Sequence, residues 1–260
     1  MRSLTSEQTD AYLRRIGASG QTPLRELHRL HQVAVPFENL SIHLGQDVVL
    51  EPAALYDKIV GARRGGFCYE LNGTFALLLA ALGHRVELLS ARVHGADDRY
   101  GPPFDHLALR VEEAGAGAVW LADVGFGDHS AYPLRLDERG EQPDPRGTFR
   151  IAGTPDGDLD VLRDGVPQYR LETRPRELPD FGPTCWWQCT SPASHFTRSL
   201  VCTRLTGSGG RVTLSGRRLV TTDADGSRRE EELPDDEAVL LAAYRDRFGI
   251  DLDRTPRPPA

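Results

Sequence analysis

This 260-residue sequence has one lysine, four cysteines and no long apolar run. No stretch approaches the roughly 20 apolar residues a membrane helix needs. The opening MRSLTSEQTDAYL lacks the apolar core of a signal peptide, so the expected location is the cytoplasm. Four cysteines in a cytoplasmic chain of this length do not make a disulfide framework, and each taken alone reads as a small core residue. Lys58 is the only lysine, so arginine supplies nearly all the positive charge. A net charge of -7 argues against general nucleic-acid binding, which needs clustered cations. There is no G-x-G-x-x-G and no alternation of strand and helix, which weighs against a dinucleotide fold. No internal repeat is apparent. With 39% hydrophobic and 27% charged residues the chain is an ordinary globular one.

What is present falls into two patterns. The first third reads as helical. Thr5 and Gln8 form a capping box ahead of a helix ended by Gly17. Thr22-Pro23 opens a second helix with Leu24, Leu27, Leu30 and His31 inward, and Pro52 a third. The clearest helix spans about 67–82, with Leu71, Phe75, Leu78, Leu79 and Leu82 at helical spacing and Gly83 as its cap. Beyond Gly83, short Val- and Leu-rich segments at 85–93, 106–112, 118–124, 149–152, 158–163, 169–173, 197–205 and 211–221 read as strands. A hairpin turn at 207–210 separates the last two. Residues 235–248 return to helix, and a frayed tail is expected at 255–259. Helices segregated from antiparallel strands indicate an α+β protein. The boundaries place a helical unit at 1–83, a strand-rich unit at 84–190 and a mixed unit at 191–260.

Cys68 follows two glycines and starts the strongest helix, where unpaired N–H groups and the helix dipole favour a thiolate. Arg63 and Arg64 add positive charge nearby in sequence. A cysteine nucleophile needs a base, and the base an orienting group. HLALRV, beginning at His106, and VWLADV, containing Asp123, flank the turn EEAGAGA. A hairpin centred near residues 114 and 115 sets His106 opposite Asp123 on one face, with Cβ atoms about 5 Å apart. A slip of one residue would separate the two faces. Seven other histidines, at 28, 31, 43, 84, 94, 129 and 195, are alternatives.

PFENLSIHLG (36–45), RGGFCYELNG (64–73), DHLALRV with His106, ADVGFG (122–127) and YRDRFGIDL (244–252) resemble the arylamine N-acetyltransferase family in its order and spacing. A weaker match lies at 180–196. The resemblance implies a helical bundle, a central antiparallel β-barrel-like domain and a C-terminal α/β lid, with a Cys–His–Asp core like that of cysteine proteases. It carries over Cys68 as nucleophile, His106 as base and Asp123 as orienter. It further implies acetyl-CoA as acyl donor and an arylamine or arylhydrazine as acceptor in ping-pong chemistry, without a metal. Phe126 and Phe37 are expected at the acceptor, Gly101, Phe104, Gly125 and Gly127 at the CoA, and Glu38, Arg64 and Asn72 as supports. Backbone N–H groups at the start of the Cys68 helix and in 103–105 are the expected oxyanion donors.

Two related readings share the triad. Macrolactam-forming amide synthases take a carrier-protein thioester, and transglutaminase-like cysteine hydrolases pass the acyl group to water or a side chain. The sequence departs from the family at 185–192, where Cys189 stands for a usual serine and Ser191 for a usual histidine, leaving the acceptor open. Cys185, Cys189, Cys202 and His195 match no strong zinc spacing. The sequence is compatible with a homodimer and does not require one.

Overall fold

The computed structural model describes residues 4–95, 97–115 and 117–257. The helical first third comprises α1 (Ser6–Ile16), α2 (Leu24–Ala34), the two-residue strand β1 (Phe37–Glu38), α3 (Leu40–His43), α4 (Pro52–Tyr56) with a π-helical turn at Asp57–Gly61, and α5 (Cys68–Ala81). The capping box of Thr5 with Gln8 forms as expected, and Gly17 closes α1 with φ +70°. Pro23 precedes α2 as its cap instead of starting it. Every residue of α5 from Cys68 to Leu79 is buried. A helix buried on all sides is the hub of a core, which is more than the single apolar stripe of the sequence implies. Its buried Glu70 is paired with Lys58 at 2.6 Å, so the only lysine is drawn half-buried against the core.

A meander follows. Its strands are β2 (Arg85–Val93), β3 (His106–Glu112), β4 (Val119–Ala122), β5 (Leu134–Arg135), β6 (Gln142–Asp144), β7 (Gly147–Gly153), β8 (Leu159–Arg163) and β9 (Val166–Arg176). They form one antiparallel sheet in the order β5-β4-β3-β2-β9-β8-β7-β6. The side chain of Gln142 in β6 bonds the main-chain N–H and C=O of Arg135 in β5, at 2.7 and 3.0 Å. The two edges therefore nearly meet, and the sheet is barrel-like. Alternation in β3 makes it two-faced: Leu107, Leu109 and Val111 join the core around α5, while Ala108 faces the barrel interior with Leu89 and Leu121.

The chain then forms α6 (Gly182–Thr190), α7 (His195–Arg198), β10 (Val201–Leu205), β11 (Arg211–Ser215), β12 (Arg218–Thr222), β13 (Arg228–Glu232) and α8 (Glu237–Ala243), which continues as a π-helical turn at Tyr244–Phe248. The expected strand 197–205 is helix to Arg198 and strand only from Val201, and 211–221 is a hairpin of two strands turning at Gly216-Arg217. β13 joins them, a strand too charged to read as one. β1 pairs with β10, so the N-terminal third lends an edge to this second sheet, ordered β1-β10-β11-β12-β13. The tail does not fray through 257: Thr255 bonds Glu237, and Arg257 N–H bonds the His43 carbonyl at 3.3 Å. Positions 258 and 259, and Ala116 in the β3–β4 turn, lie outside the described residues. Among the described residues no helix is long and apolar enough to cross a membrane.

Three buried histidines mark the interior. His31 packs on Phe75 and Tyr12, with ring centroids 5.1 and 6.0 Å away, and burial lowers its pKa to about 3. Burial also lowers His129 to about 4 and shifts His28 in the same direction. The unfolded chain protonates these rings near pH 6.5 and the folded chain does not, so acidification below that value favours unfolding. Each such ring removes about 1.4 kcal/mol of stability per pH unit down to its folded value. His106, whose folded value is raised, is protonated in both states there and adds no slope. Between pH 7.5 and 5.5, His31→Phe is expected to lose about 1 kcal/mol less stability than the parent chain in denaturant unfolding. An equal loss in both proteins would show that His31 titrates normally.

Candidate active site

Cys68 is the first residue of α5, where the first N–H groups of a helix have no intrahelical acceptor and the dipole is positive. Two close approaches set its place. A Cβ on Gly65 would collide with the Pro36 carbonyl, so the loop before Cys68 lies flat on the segment entering β1. The Glu38 N–H bonds Gly66 O at 2.8 Å, and the buried Glu38 carboxylate holds Arg64 at 2.9 Å and the Leu40 N–H at 2.6 Å. Arg64 is thereby committed to Glu38, and the Arg63 side chain is exposed. Neither is the cation beside the thiol that sequence proximity implies. On the far side, a Cβ on Gly125 would stand 2.8 Å from Cys68 Cα and 2.7 Å from Asn72 Nδ2. Only glycine lets the strand-end loop approach α5 this closely.

The titratable group beside the thiol is His106, at the first position of β3, which lines the same cavity and lowers the thiol's pKa against burial; Cys68 Sγ itself donates to the Asp105 carbonyl at 4.0 Å. His106 Nε2 lies 2.7 Å from Asp123 Oδ2, which leaves Nδ1 for the sulfur. The β3–β4 register differs from the expected one. Leu109 pairs with Ala122 and Glu112 with Val119, so Asp123, just past β4, is level with Ala108. His106 and Asp123 are diagonal neighbours, two residues out of direct opposition. An even offset preserves the face, and the imidazole spans the diagonal.

Asp123 is nearly fully buried and well supplied with donors. Oδ1 accepts Asn72 Nδ2 at 2.8 Å and the Gly125 N–H at 3.0 Å. Asn72 also donates to Leu107 O at 2.6 Å and accepts the Val124 N–H at 2.9 Å, tying α5 to both strands. Burial alone would raise Asp123, but His106, then His129 and Asn72, hold its carboxyl well below the usual carboxylate range. Burial alone would lower His106; Asp123, followed by Cys68, instead lifts it to about 10. Burial pushes the Cys68 thiol up, and His106 is the main opposing influence. A thiolate here therefore exists as the partner of a protonated His106.

Several supports escaped the sequence. His28 of α2 accepts the Asp123 N–H at Nε2 (3.0 Å) and faces Ala131 O with Nδ1 (3.0 Å), so it bridges the two ends of the loop carrying Phe126. Tyr69 donates to Phe104 O at 2.8 Å. Gln188 of α6 donates to Asp105 at 2.6 Å and is held by Ser194 at 2.7 Å. Contacts across such distances in sequence leave no local signal.

A cavity of about 880 Å³ opens at Cys68 and His106. Phe126, whose ring meets His106 edge-on at 5.2 Å, lines it together with Phe37, Gly125 and Gly127. Trp187 and Phe196 and the inner face of the second sheet form its other wall. Gly101 and Phe104 are not on this wall; Pro102 and Asp105 are. Phe104 packs instead on Phe181, with centroids 5.3 Å apart. Glu38, Arg64 and Asn72 stand behind the cavity as supports. Cys185 and Cys189 share a turn of α6, whereas Cys202 lies in β10 level with Glu38. Among the described residues no three His, Cys, Asp or Glu side chains converge on a metal position.

The chain has counterparts of known family in both sequence and fold. The N-acetyltransferase family model matches residues 22–257. An arylamine N-acetyltransferase of Mycobacterium tuberculosis is 37% identical over 254 residues, covering 93% of this chain and 89% of that protein. The Mycobacterium marinum arylamine N-acetyltransferase solved in complex with CoA superposes with a TM-score of 0.82 at 33% identity, covering 93% of this chain and 92% of the other. The arylamine N-acetyltransferase of Salmonella typhimurium gives a TM-score of 0.85 at 30% identity over 95% and 92% of the two chains. In sequence and in fold, this chain belongs to the arylamine N-acetyltransferase family.

Proposed function

We propose that the chain transfers an acetyl group from acetyl-CoA to the nitrogen of an aromatic amine or hydrazine through an acetyl-Cys68 intermediate. The observation that carries this reading is the hydrogen-bonded His106–Asp123 pair, with His106 and Cys68 lining one cavity. The mycobacterial relative solved with CoA supports the choice of donor.

The Cys68 thiolate, formed as His106 takes its proton, attacks the thioester carbonyl. The C–S bond to CoA breaks, CoA leaves as thiol with the proton from His106, and acetyl-Cys68 remains. The acceptor nitrogen then attacks that thioester, His106 accepts the proton the nitrogen sheds, and the Cys68 thiolate departs as the amide forms. Asp123 keeps the imidazole oriented and its charged form favourable throughout. The N–H groups of the first turn of α5 are the proposed donors to the oxygen that becomes negative in each step, each typically worth about 3 kcal/mol. Phe126 and Phe37 supply an apolar wall for an aromatic acceptor. Exposed Arg198, Arg218 and Arg228 on the cavity rim suit the phosphates of CoA. The C-terminal third closes the cavity as a lid would.

Incubation with acetyl-CoA and no acceptor is expected to add one acetyl group, seen by intact-protein mass spectrometry and absent in Cys68→Ala. No adduct on the parent chain would remove acetyl-CoA as donor. In a second measurement, iodoacetamide alkylation of Cys68 near pH 7 is expected to slow about tenfold or more in His106→Gln, with its rise displaced to higher pH, since burial then acts on the thiol with little opposition. An unchanged pH profile would show that His106 does not govern the thiol.

A further inference from the structure

All four thiols are free, and two of them stand side by side. Cys185 and Cys189 are four residues apart on α6, so they share one face of the helix with Cβ atoms about 5–6 Å apart. That face is turned inward. Cys185 is 3% exposed and belongs to the core around α5 that holds Phe67, Tyr69 and Phe181, and Cys189 is half-buried against the same core. Contact with Cys189, followed by burial, pushes the Cys185 thiol up, so the two sulfurs are within reach of each other and Cys185 stays a neutral thiol.

The spacing selects what such a pair can take up. A disulfide needs Cβ atoms about 3.5–4.5 Å apart, closer than an intact helical turn brings them. Unwinding the turn would disturb Gln188, which holds Asp105 at 2.6 Å, and Trp187 on the cavity wall. A single atom bridging the sulfurs lengthens the link by one bond and suits the turn as it stands. Structural zinc takes four ligands, and among the described residues no third His, Cys, Asp or Glu converges on the pair. A copper(I) ion between two thiolates leaves a net negative charge in apolar surroundings, where Glu70 and Cys68 already disfavour a charge on Cys185. Trivalent arsenic bearing one organic group is a soft centre suited to sulfur, takes two thiolates and gives an uncharged adduct.

We propose that Cys185 and Cys189 form a dithiol site for trivalent organoarsenicals. An arsenoxide, R–As=O, exchanges its oxygen for two As–S bonds; both thiol protons leave with that oxygen as water, and nothing is oxidised or reduced. The half-buried Cys189 adds first, and Cys185 closes the ring in an intramolecular step that its high local concentration favours. The cavity is lined by Trp187 and Gln188 and not by the two cysteines, so the site lies behind the cavity wall, apart from Cys68, and is independent of the acetyl-transfer reading.

Phenylarsine oxide tests this on the full chain. With glutathione in excess, which strips arsenic from single thiols, intact-protein mass spectrometry is expected to show one phenylarsenic group per chain, removed by 2,3-dimercaptopropanol. Cys68→Ala should keep the adduct, and iodoacetamide should still alkylate Cys68 in the parent adduct. Cys185→Ala should weaken retention by about a hundredfold or more, the usual loss when a second tethered ligand is removed. Cys189→Ser, at the less buried position, should do the same and keeps the test open if Cys185→Ala does not fold. No adduct surviving glutathione would overturn the proposal, as would one undiminished in Cys189→Ser or one lost in Cys68→Ala. A parent chain already lighter by the pair of hydrogens a disulfide loses, and inert to the arsenical until reduced, would overturn it as well.

Discussion

A carboxylate buried as deeply as that of Asp123 is tolerable only if every lone pair finds a donor and a cation stands close by. Much of the surrounding structure meets that requirement. Oδ1 takes two N–H donors, one from the middle of α5 and one from the loop beyond β4. Oδ2 is left for His106, the one ring there that can become a cation. Because the carboxylate stays ionised, the imidazole favours its protonated form, and that form is what makes a thiolate tolerable at Cys68. In the proposed mechanism the reactivity of the thiol is thus inherited from an aspartate it does not touch.

The helical part, the barrel-like sheet and the loop between them must meet within tenths of an ångström for this to work. Gly65 and Gly125 permit two contacts in which backbone lies directly on backbone or on the first turn of α5. Asn72 then stitches α5 to β3 and to the Asp123–Val124 peptide through all three of its useful hydrogen-bonding positions. His28 fixes the same loop from the opposite side as a neutral ring, because burial lowers its pKa. One buried histidine is therefore a rigid neutral strut and another favours its cationic form, and the difference is that His106 bonds the Asp123 carboxylate while His28 accepts the Asp123 main-chain N–H.

The alternation of HLALRV and the helical period of 67–82 were enough to place β3 and α5, since both patterns report burial directly. The face shared by His106 and Asp123 was legible too, although their register was not: the strand pairing is centred one position later than the turn suggests, and only parity, not direct opposition, survives such a change. α6 was missed because its Gly-Pro start and Trp- and Cys-rich body have no clear period. β13 was missed because RREEE reads as a solvated run. The pairing of Lys58 with Glu70, the strut at His28 and the arginines gathered on Asp128 join residues far apart in the chain. His28 and Asp123 are 95 positions apart, and no local pattern encodes such contacts.

The account stands on Asp123 holding His106 in its protonated form. Histidine-selective nitrogen-15 labelling and NMR titration of the parent chain and of Asp123→Asn measure this directly. The predicted result is a His106 ring that stays protonated well above pH 7 in the parent and loses its proton below neutrality in Asp123→Asn, where burial acts unopposed. A His106 that titrates near pH 6.5 in both proteins would contradict it.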